Sequence, residues 1–269
     1  MGICIGGLFM KYKEFGCGNS KTIIFLHGGG LSWWNYREEA EMLKNEYHII
    51  IPILDGHAES DKHFSTIENN AKDIISFIEE YLNDSVFMIC GLSLGGQILL
   101  EMLSQKGDIC RYALIESAMA IPSKIINALI RPAFGCSYPL IKQKWFAKMQ
   151  FRQLKIKEEL FDDYYRDTCT IPKNDMIAFL KANTSYKLKD SINNSSADVH
   201  IYYGKRETRG IKKSAKLIST TIPSSSLIEL PNMYHGDFSI NHSHDVYIFN
   251  LLTIFLFLKY IFLLLLHHF

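Results

Sequence analysis

Residues 86–103 read VFMICGLSLGGQILLEML. The run Val86-Phe87-Met88-Ile89-Cys90 is continuously apolar, which suits a strand buried on both faces of a parallel sheet. The residues from Gln97 onward are mostly apolar helix formers. Between the two runs, Gly91-Leu92-Ser93-Leu94-Gly95 matches the G-x-S-x-G pattern, in which a serine sits on a sharp turn from strand to helix. The stretch therefore predicts a nucleophilic serine, Ser93, at the edge of a sheet.

Short apolar runs alternate with helical patterns on both sides of this stretch. The runs are residues 22–26, 48–54, 112–115, 200–203 and 227–230. Alternating strands and helices predict an α/β fold with a mostly parallel sheet covered by helices. The sequence Ser65-Thr66-Ile67-Glu68 has the form of a capping box, which predicts that a helix begins there and continues to Leu82.

The alternation stops between residues 118 and 197, which are rich in helix formers and contain no convincing strand. A long helical stretch between two strands of one sheet predicts a cap inserted into a core made of residues 10–117 and 198–260. The cap carries 13 Lys/Arg against 7 Asp/Glu, an excess that favours an acidic or amphiphilic substrate. Its aromatic residues either line an acyl pocket or pack the cap onto the core.

Two late positions supply the partners that a nucleophilic serine needs, namely a base and an acid that orients the base. His235 follows the last strand and precedes Gly236, which predicts that it is the base. Glu207 stands three residues after Gly204, where a late strand ends, and it is one candidate for the acid. Glu116, at the end of the strand over residues 112–115, is the rival acid.

The oxyanion of an acyl-transfer reaction needs backbone N–H donors near the serine. Three glycines, residues 28–30, follow the first apolar run, where the backbone can approach a substrate closely. We expect one donor from Gly29 or Gly30 and the other from Leu94, the residue after the nucleophile. His27 is expected to pack loops together without a catalytic role, and Asp237 to cap the final helix.

Three motifs together resemble the α/β-hydrolase superfamily. They are LHGGG at residues 26–30, DGHAES at 55–60 and GLSLGG at 91–96. The resemblance covers residues 10–241, and it implies that Glu207 and His235 complete a triad with Ser93. The chain departs from the usual pattern in two ways. It has glutamate where aspartate is more common, and the segment around Asp55 is shorter by two residues before its glycine.

The combined motifs predict a serine hydrolase that cleaves a small-molecule carboxylic ester or related acyl bond through an acyl-enzyme, without a cofactor. An acyltransferase would use the same residues and pass the acyl group to an alcohol or thiol. A C–C bond hydrolase or a peptidase of the same fold is a further alternative. A non-catalytic binding module is disfavoured because serine, acid and histidine are all present.

Composition argues against several other functions. The net charge of +1 gives no general attraction to nucleic acid. The glycines at residues 28–30 lack the Gly-Lys-Ser/Thr of a P-loop and the spacing of a dinucleotide fingerprint. The six cysteines contain no C-x-x-C pair, and the histidines at 242, 244, 267 and 268 lack further ligands nearby in sequence, so no metal site is expected. Sparse cysteines favour a reducing, cytoplasmic location.

The two ends of the chain do not follow the α/β pattern. The first nine residues are expected to be an appendage, since Gly6 stands where the myristoylation pattern requires Ser or Thr. Residues 246–266 are apolar apart from Asn250, Thr253 and Lys259. A helix is expected over residues 246–269, either as a closing helix with an apolar extension that contacts a partner, or as a membrane attachment.

Overall fold

The structure is a computed structural model of the chain, and it describes residues 10–243. Within these residues a seven-stranded sheet has the order β1-β3-β2-β4-β5-β6-β7. Only β1 is antiparallel to its neighbour, so the predicted mostly parallel α/β sheet is confirmed. The strands are β1 (Tyr12–Phe15), β2 (Thr22–Leu26), β3 (His48–Pro52), β4 (Val86–Leu92), β5 (Cys110–Glu116), β6 (Asp198–Gly204) and β7 (Ser225–Leu230).

Strand β1 is the element that the apolar runs did not predict. Its sequence, YKEF, has two charged residues at its centre, and only alternate side chains are buried. A strand at the sheet edge buries less of its surface than a central strand, so its sequence lacks the run of at least three consecutive apolar residues that each of β2 to β6 contains. It pairs with β3 from Tyr12↔Pro52 to Phe15↔Ile49.

Helices cover both faces of the sheet and enclose two apolar clusters. Neighbouring strand residues such as Ile23 and Ile24 belong to different clusters, because successive side chains point to opposite faces. Helices α2, α3 and α8 contribute to one cluster, and α1 and α9 to the other. These helices are α1 (Arg37–Leu43), α2 (Ile67–Tyr81), α3 (Leu94–Gln105), α8 (Arg209–Thr221) and α9 (Asp237–Asn241).

The start of α2 differs from the predicted capping box by one residue. The N-cap is Thr66, whose hydroxyl accepts a 3.0 Å hydrogen bond from the backbone N–H of Asn69. The prediction that Ser65 caps this helix together with Glu68 is therefore wrong. Thr66 has the extended backbone that a cap requires, and it satisfies one of the amide groups left free at the helix start.

The chain between β5 and β6 is helical, with no strand from residue 118 to 197. It contains α4 (Lys124–Ile141), α5 (Lys144–Leu154), α6 (Phe161–Thr170) and α7 (Lys173–Ser185), with short 3-10 helices at 158–160 and 190–194. We refer to residues 118–197 as the helical segment. Its role as a cap over the site stays a prediction.

Buried polar contacts fasten the helical segment to the sheet and its loops. The indole Nε1 of Trp34 donates to Oδ2 of Asp167 in α6 at 2.8 Å. The side-chain amide of Gln97 in α3 donates to the carbonyl of Asn183 in α7 at 2.8 Å. Such hydrogen bonds fix the helices in place because breaking them would leave buried polar atoms without partners.

The predictions for the chain ends fall outside the described residues. These predictions concern the first nine residues and the apolar run at 246–266. Among residues 10–243, no helix is long and apolar enough to cross a membrane.

Candidate active site

Ser93 lies in the tight turn between β4 and α3. Its backbone has φ 53° and ψ −108°, a conformation that costs free energy for a residue with a side chain. The flanking glycines make the turn geometrically accessible. A Cβ on Gly91 would lie 2.5 Å from the carbonyl oxygen of Gly95, and one on Gly95 would lie 2.1 Å from that of Leu26. The turn projects Ser93 beyond the carboxyl ends of the strands.

Glu207 and His235 are hydrogen-bonded to each other from two neighbouring loops. Oε2 of Glu207 lies 2.9 Å from Nδ1 of His235. The other oxygen, Oε1, accepts the backbone N–H of Gly204 at 3.1 Å and the hydroxyl of Ser117 at 2.5 Å. The Glu207 side chain is only 1% exposed, so these bonds fix its orientation.

Glu207 and His235 each stabilise the charged form of the other. Burial raises the pKa of Glu207, but hydrogen bonds from His235 and Ser117 together with the charge of His235 outweigh it, and the net pKa lies below the ordinary value. Desolvation lowers the pKa of His235, whereas the hydrogen bond and charge of Glu207 raise it, and the net pKa lies above the ordinary value. The negative charge of Glu116 adds to the effect of Glu207, and together the two carboxylates outweigh the desolvation of His235.

Glu116, the rival acid, has a different set of partners. Its carboxylate accepts the backbone N–H groups of Phe238 and Ser239, both at 3.2 Å. It is buried beneath the start of α9, and burial raises its pKa to about 7 despite the hydrogen bonds from Ser239. The structure thus brings Glu207, and not Glu116, into contact with His235.

The glycine loop after β2 is shaped by two side chains that accept its amides. The N–H of Gly28 donates to Oδ1 of Asn35 at 3.2 Å, and that of Gly30 donates to Nε2 of His57 at 3.0 Å. The predicted alternative of Gly30 as an oxyanion donor is therefore disfavoured, because its N–H already has a partner. Gly29 remains the candidate in this loop, and the N–H of Leu94 is the first in α3, where no helical carbonyl can accept it.

Two buried histidines support this loop as neutral groups. Nε2 of His27 accepts the N–H of Leu54 at 3.2 Å, and the ring of His27 lies edge-on to that of His57. Burial lowers the pKa of His27 to about 3 and that of His57 to about 4. Both rings therefore stay neutral near pH 7, which leaves each an acceptor nitrogen for a backbone amide.

A cavity of about 590 Å³ joins these parts. Ser93, His235 and Glu207 line it together with Gly29 and Gly30. The remaining wall is mostly apolar and comes largely from the helical segment. It includes Phe134, Ile141, Leu154, Met176, Phe179 and Leu180. A largely apolar cavity that ends at a few polar groups is typical of a small-molecule site.

Comparison with known families decides the classification. A family model described as "alpha/beta hydrolase fold" matches residues 21–230. The chain belongs to the alpha/beta hydrolase family.

Sequence relatives of this α/β-hydrolase are distant. It is 28% identical over 141 residues to a probable alcohol acetyltransferase of Cyberlindnera fabianii, covering 48% of this chain and 38% of that protein. It is 24% identical over 177 residues to an uncharacterized hydrolase, YugF, of Bacillus subtilis, covering 60% of this chain and 63% of that protein. The chain thus spans less than two thirds of the length of either relative.

A solved esterase shares the fold over almost the whole molecule. The thermophilic esterase from Thermogutta terrifontis superposes with a TM-score of 0.72 and covers 90% of this chain and 92% of its own. The two sequences are 17% identical, so the likeness concerns the fold. Together with the family match, it supports an enzyme of the α/β-hydrolase type.

Several supporting residues of the α/β-hydrolase site were not predicted. Ser117 reaches Glu207 from the end of β5, and Asn35 and His57 accept the amides of the glycine loop. These contacts join residues distant in sequence, so no local spacing predicts them. The nearest signal is position, since Ser117 directly follows a predicted strand.

Asp237 does not cap the final helix as predicted. The N-cap of α9 is Gly236, and Asp237 is the first residue of the helix. Its Oδ2 accepts the backbone N–H of Tyr234 at 3.2 Å. Asp237 therefore stabilises the loop that carries His235, because the bond closes that loop on itself.

One group of metal-ligating side chains occurs within the described residues, away from the cavity. Ligand atoms of Glu14, Cys17 and His48 all lie within 4.8 Å of one another near the β1 edge. Oε1 of Glu14 is 2.7 Å from Nε2 of His48, so two of the three groups are hydrogen-bonded to each other. The sequence spacing of these residues did not predict that they meet.

Proposed function

We propose that this α/β-hydrolase is a serine hydrolase that cleaves a carboxylic ester or a related acyl bond. The observation that carries the proposal is the joint position of Ser93 and the hydrogen-bonded Glu207–His235 pair on the wall of one apolar cavity. A protein without catalytic use for Ser93 would have no reason to retain its strained backbone at that place.

The chemistry follows from the roles of the three side chains. Oγ of Ser93 attacks the ester carbonyl, and Nε2 of His235 takes the hydroxyl proton. Glu207 holds Nδ1 of His235 and stabilises the cation that forms. The proton then passes from His235 to the leaving alcohol, and the same ring later activates the water that releases the acid.

The oxyanion needs two donors during both steps. The amides of Gly29 and Leu94, which have no hydrogen-bond partner among residues 10–243, are the proposed pair, since the amide of Gly30 donates to His57. In the described structure, Ser93 and His235 do not yet share a hydrogen bond. Catalytic hydrogen bonds often tighten only when substrate binds, so we expect rotation of the Ser93 side chain to form it.

The cavity wall supports an apolar acyl group as the preferred substrate portion. Phe134, Ile141 and Phe179 contribute only apolar side chains to the wall. Burying the methylenes of an acyl chain there is favourable at about 0.8 kcal/mol for each group. We therefore expect esters with a medium-length aliphatic acyl chain to be cleaved faster than acetates.

The decisive experiment combines turnover with covalent labelling. The wild-type protein is offered 4-nitrophenyl esters of increasing acyl length and a fluorophosphonate probe. Ser93→Ala is expected to lose labelling and to reduce kcat by at least about a thousandfold, because the nucleophile is absent. Ser104→Ala, at a helical serine that bonds Leu100, is the matched control. Near-normal hydrolysis by Ser93→Ala would refute the proposal.

An acyltransferase is the second candidate, favoured by the Cyberlindnera fabianii relative named as a probable alcohol acetyltransferase. It would use the same acyl-enzyme but transfer the acyl group to an alcohol. Adding ethanol to the ester assay separates the two. Formation of ethyl ester in excess of free acid would favour the transferase, whereas free acid alone would favour the hydrolase.

A further inference from the structure

Positive charge is concentrated in the first half of the helical segment. Residues 117–157 contain eight Lys/Arg and no Asp/Glu. The cations are Lys124, Arg131, Lys142, Lys144, Lys148, Arg152, Lys155 and Lys157. Three of them pair with acids from outside this stretch. Within the described residues the other five form no ion pair, and all five are exposed. This part of the surface is therefore strongly positive.

Helices α4 and α5, which lie within this positively charged stretch, also expose large apolar side chains. On α4, Ile125 is 77% exposed and Leu129 is 59% exposed. Leu140 continues this stripe at helical spacing. On α5, Trp145 is 65% exposed and Met149, four residues later, is 49% exposed. On each helix two of these exposed residues stand four positions apart and therefore lie on the same side of that helix, whereas ordinary exposed apolar residues occur singly.

We propose that α4 and α5 dock on an anionic membrane surface. Apolar side chains would enter the lipid boundary, and the surrounding cations would contact negatively charged headgroups. A helix surface with Trp, Ile and Leu beside Lys and Arg has the composition of interfacial membrane-binding helices. Each cation near an anionic leaflet adds to the attraction at physiological ionic strength.

Charge disfavours the other occupants of this surface. A second copy of the chain would place two surfaces of the same sign against each other, which is unfavourable. The apolar run at residues 246–266 contains Lys259 as its only charge, so it offers no negative group to the cations. An anionic lipid surface complements both the charge and the apolar side chains.

The inner faces of the docking helices connect this surface to the cavity. Phe134 and Ile141 of α4, and Leu154 of α5, line the cavity wall. Lys155, directly after α5, lines it as well. Docking would therefore place the lipid boundary against the elements that cover Ser93.

Vesicle binding by the full chain tests the docking. Vesicles of phosphatidylcholine alone are compared with vesicles that also contain phosphatidylglycerol, by co-sedimentation and tryptophan fluorescence. We expect binding to the anionic vesicles only, with a blue shift in emission. The shift should be absent in Trp145→Phe, because Trp33 and Trp34 are already buried. Raising NaCl from about 0.1 M to about 0.5 M should weaken binding about tenfold, because salt screens the charges.

Substitutions on the two helices decide the location of binding. Ile125→Gln/Leu129→Gln and Arg131→Gln/Lys142→Gln should each weaken binding by at least about tenfold. Leu217→Gln removes one exposed apolar residue elsewhere, and Lys72→Gln/Lys213→Gln removes two exposed cations elsewhere, and both variants should bind as the wild type does. Circular dichroism checks that each variant is folded.

Three results would overturn the proposal. One is equal binding to neutral and anionic vesicles. Another is binding that survives the α4 substitutions but disappears when the chain is cut before residue 246, which would assign it to the apolar run. The third is a dimer in analytical ultracentrifugation that Ile125→Gln/Leu129→Gln converts to monomer, which would assign the surface to a second copy.

Discussion

At the scale of single residues, the site depends on side chains held in costly positions. Ser93 and Ser117 both have positive φ, 53° and 57°, where residues with a Cβ are disfavoured. Both also contribute to the Glu207–His235 constellation, one beside the pair in the cavity and the other through its bond to Glu207. The structure around Ser93 and Ser117 holds their backbones in these strained conformations.

The Glu207–His235 pair predicts how activity depends on pH. His235 acts as a base only when neutral, so kcat/KM for ester hydrolysis should rise through a pKa above the ordinary histidine value. In Glu207→Gln the anionic partner is lost, which removes the effect that raises this pKa. The rising limb should therefore move to lower pH, while the maximal rate falls by at least about a hundredfold.

The pH–rate profile of purified enzyme measures both effects. Glu229→Gln, at an exposed glutamate of β7 outside the cavity, is the matched control and should leave the profile unchanged. An unshifted rising limb in Glu207→Gln would show that Glu207 does not set the protonation of His235.

Glu116 predicts a pH dependence of stability. Burial raises its pKa to about 7 in the folded protein, against 4.5 in the unfolded chain. Between these values the unfolded state releases a proton that the folded state keeps, so stability falls as pH rises and the loss is complete above about pH 7. Glu116→Gln lacks this loss. Its stability relative to the wild type should therefore increase by up to about 3 kcal/mol between pH 5 and pH 8.

Urea unfolding at the two pH values provides the measurement. Glu46→Gln, at an exposed glutamate, is the control for removing one carboxylate. A constant difference between Glu116→Gln and the wild type at both pH values would contradict the prediction.

At the scale of elements, polar contacts between α6 and the loop after β2 hold the helical segment in place. Trp34→Phe should destabilise the fold more than Trp33→Phe does. Both changes remove an indole from a buried position, but only Trp34 donates to a carboxylate, that of Asp167. Within the described residues, Nε1 of Trp33 has no partner. The extra loss should be about 1–3 kcal/mol, the cost of leaving a buried acceptor without its donor.

Urea unfolding of the two variants measures the difference directly, with the exposed Trp145→Phe as a further reference. If Trp33→Phe and Trp34→Phe were equally destabilised, the contact with Asp167 would contribute nothing to the attachment of α6.

Sequence patterns predicted the elements that are defined by burial and missed those defined by contacts. The central strands β2 to β6 were predicted because burial on both faces makes their sequences continuously apolar. Strand β1 was not, since its edge position allows Lys13 and Glu14 at its centre. The cap of α2 was placed one residue early because Ser65 and Thr66 are both good N-cap residues, and local sequence does not distinguish them.

The site shows the same division. Ser93, Glu207 and His235 were predicted from motifs that reflect local turns and strand ends. Ser117 and His57 were not predicted, because their roles depend on hydrogen bonds across the fold. The preference for Glu207 over Glu116 came from the resemblance to α/β-hydrolases, which implies an acid three residues after the glycine that ends a late strand. The burial of Glu116 under α9 could be known only from the three-dimensional arrangement.

At the scale of the whole molecule, the cavity exists only because the core and the helical segment meet. The core supplies Ser93 and His235, and the helical segment supplies most of the apolar wall. Ile141→Phe should therefore lower kcat/KM for the longest acyl esters by about tenfold relative to acetate. The reason is that the larger ring occupies space that the acyl chain of the substrate would otherwise fill.

Leu140→Phe makes the same change one residue earlier, where the side chain is 40% exposed and does not line the cavity. Its profile over 4-nitrophenyl esters of increasing length should match that of the wild type. If both variants keep the wild-type preference, the acyl chain does not occupy the cavity beside α4.

The attachment of the helical segment also has an evolutionary consequence. The segment leaves after β5 and returns at β6, and these two strands stay paired from Tyr112↔Asp198 to Glu116↔Tyr202. Two recombination breakpoints in the gene therefore suffice to exchange the whole segment as a cassette, with every strand pairing of the sheet retained. An incoming cassette needs a carboxylate for Trp34 and a carbonyl for Gln97. Exchanging this one segment would therefore replace most of the apolar wall of the cavity, while Ser93 and His235 remain in the core.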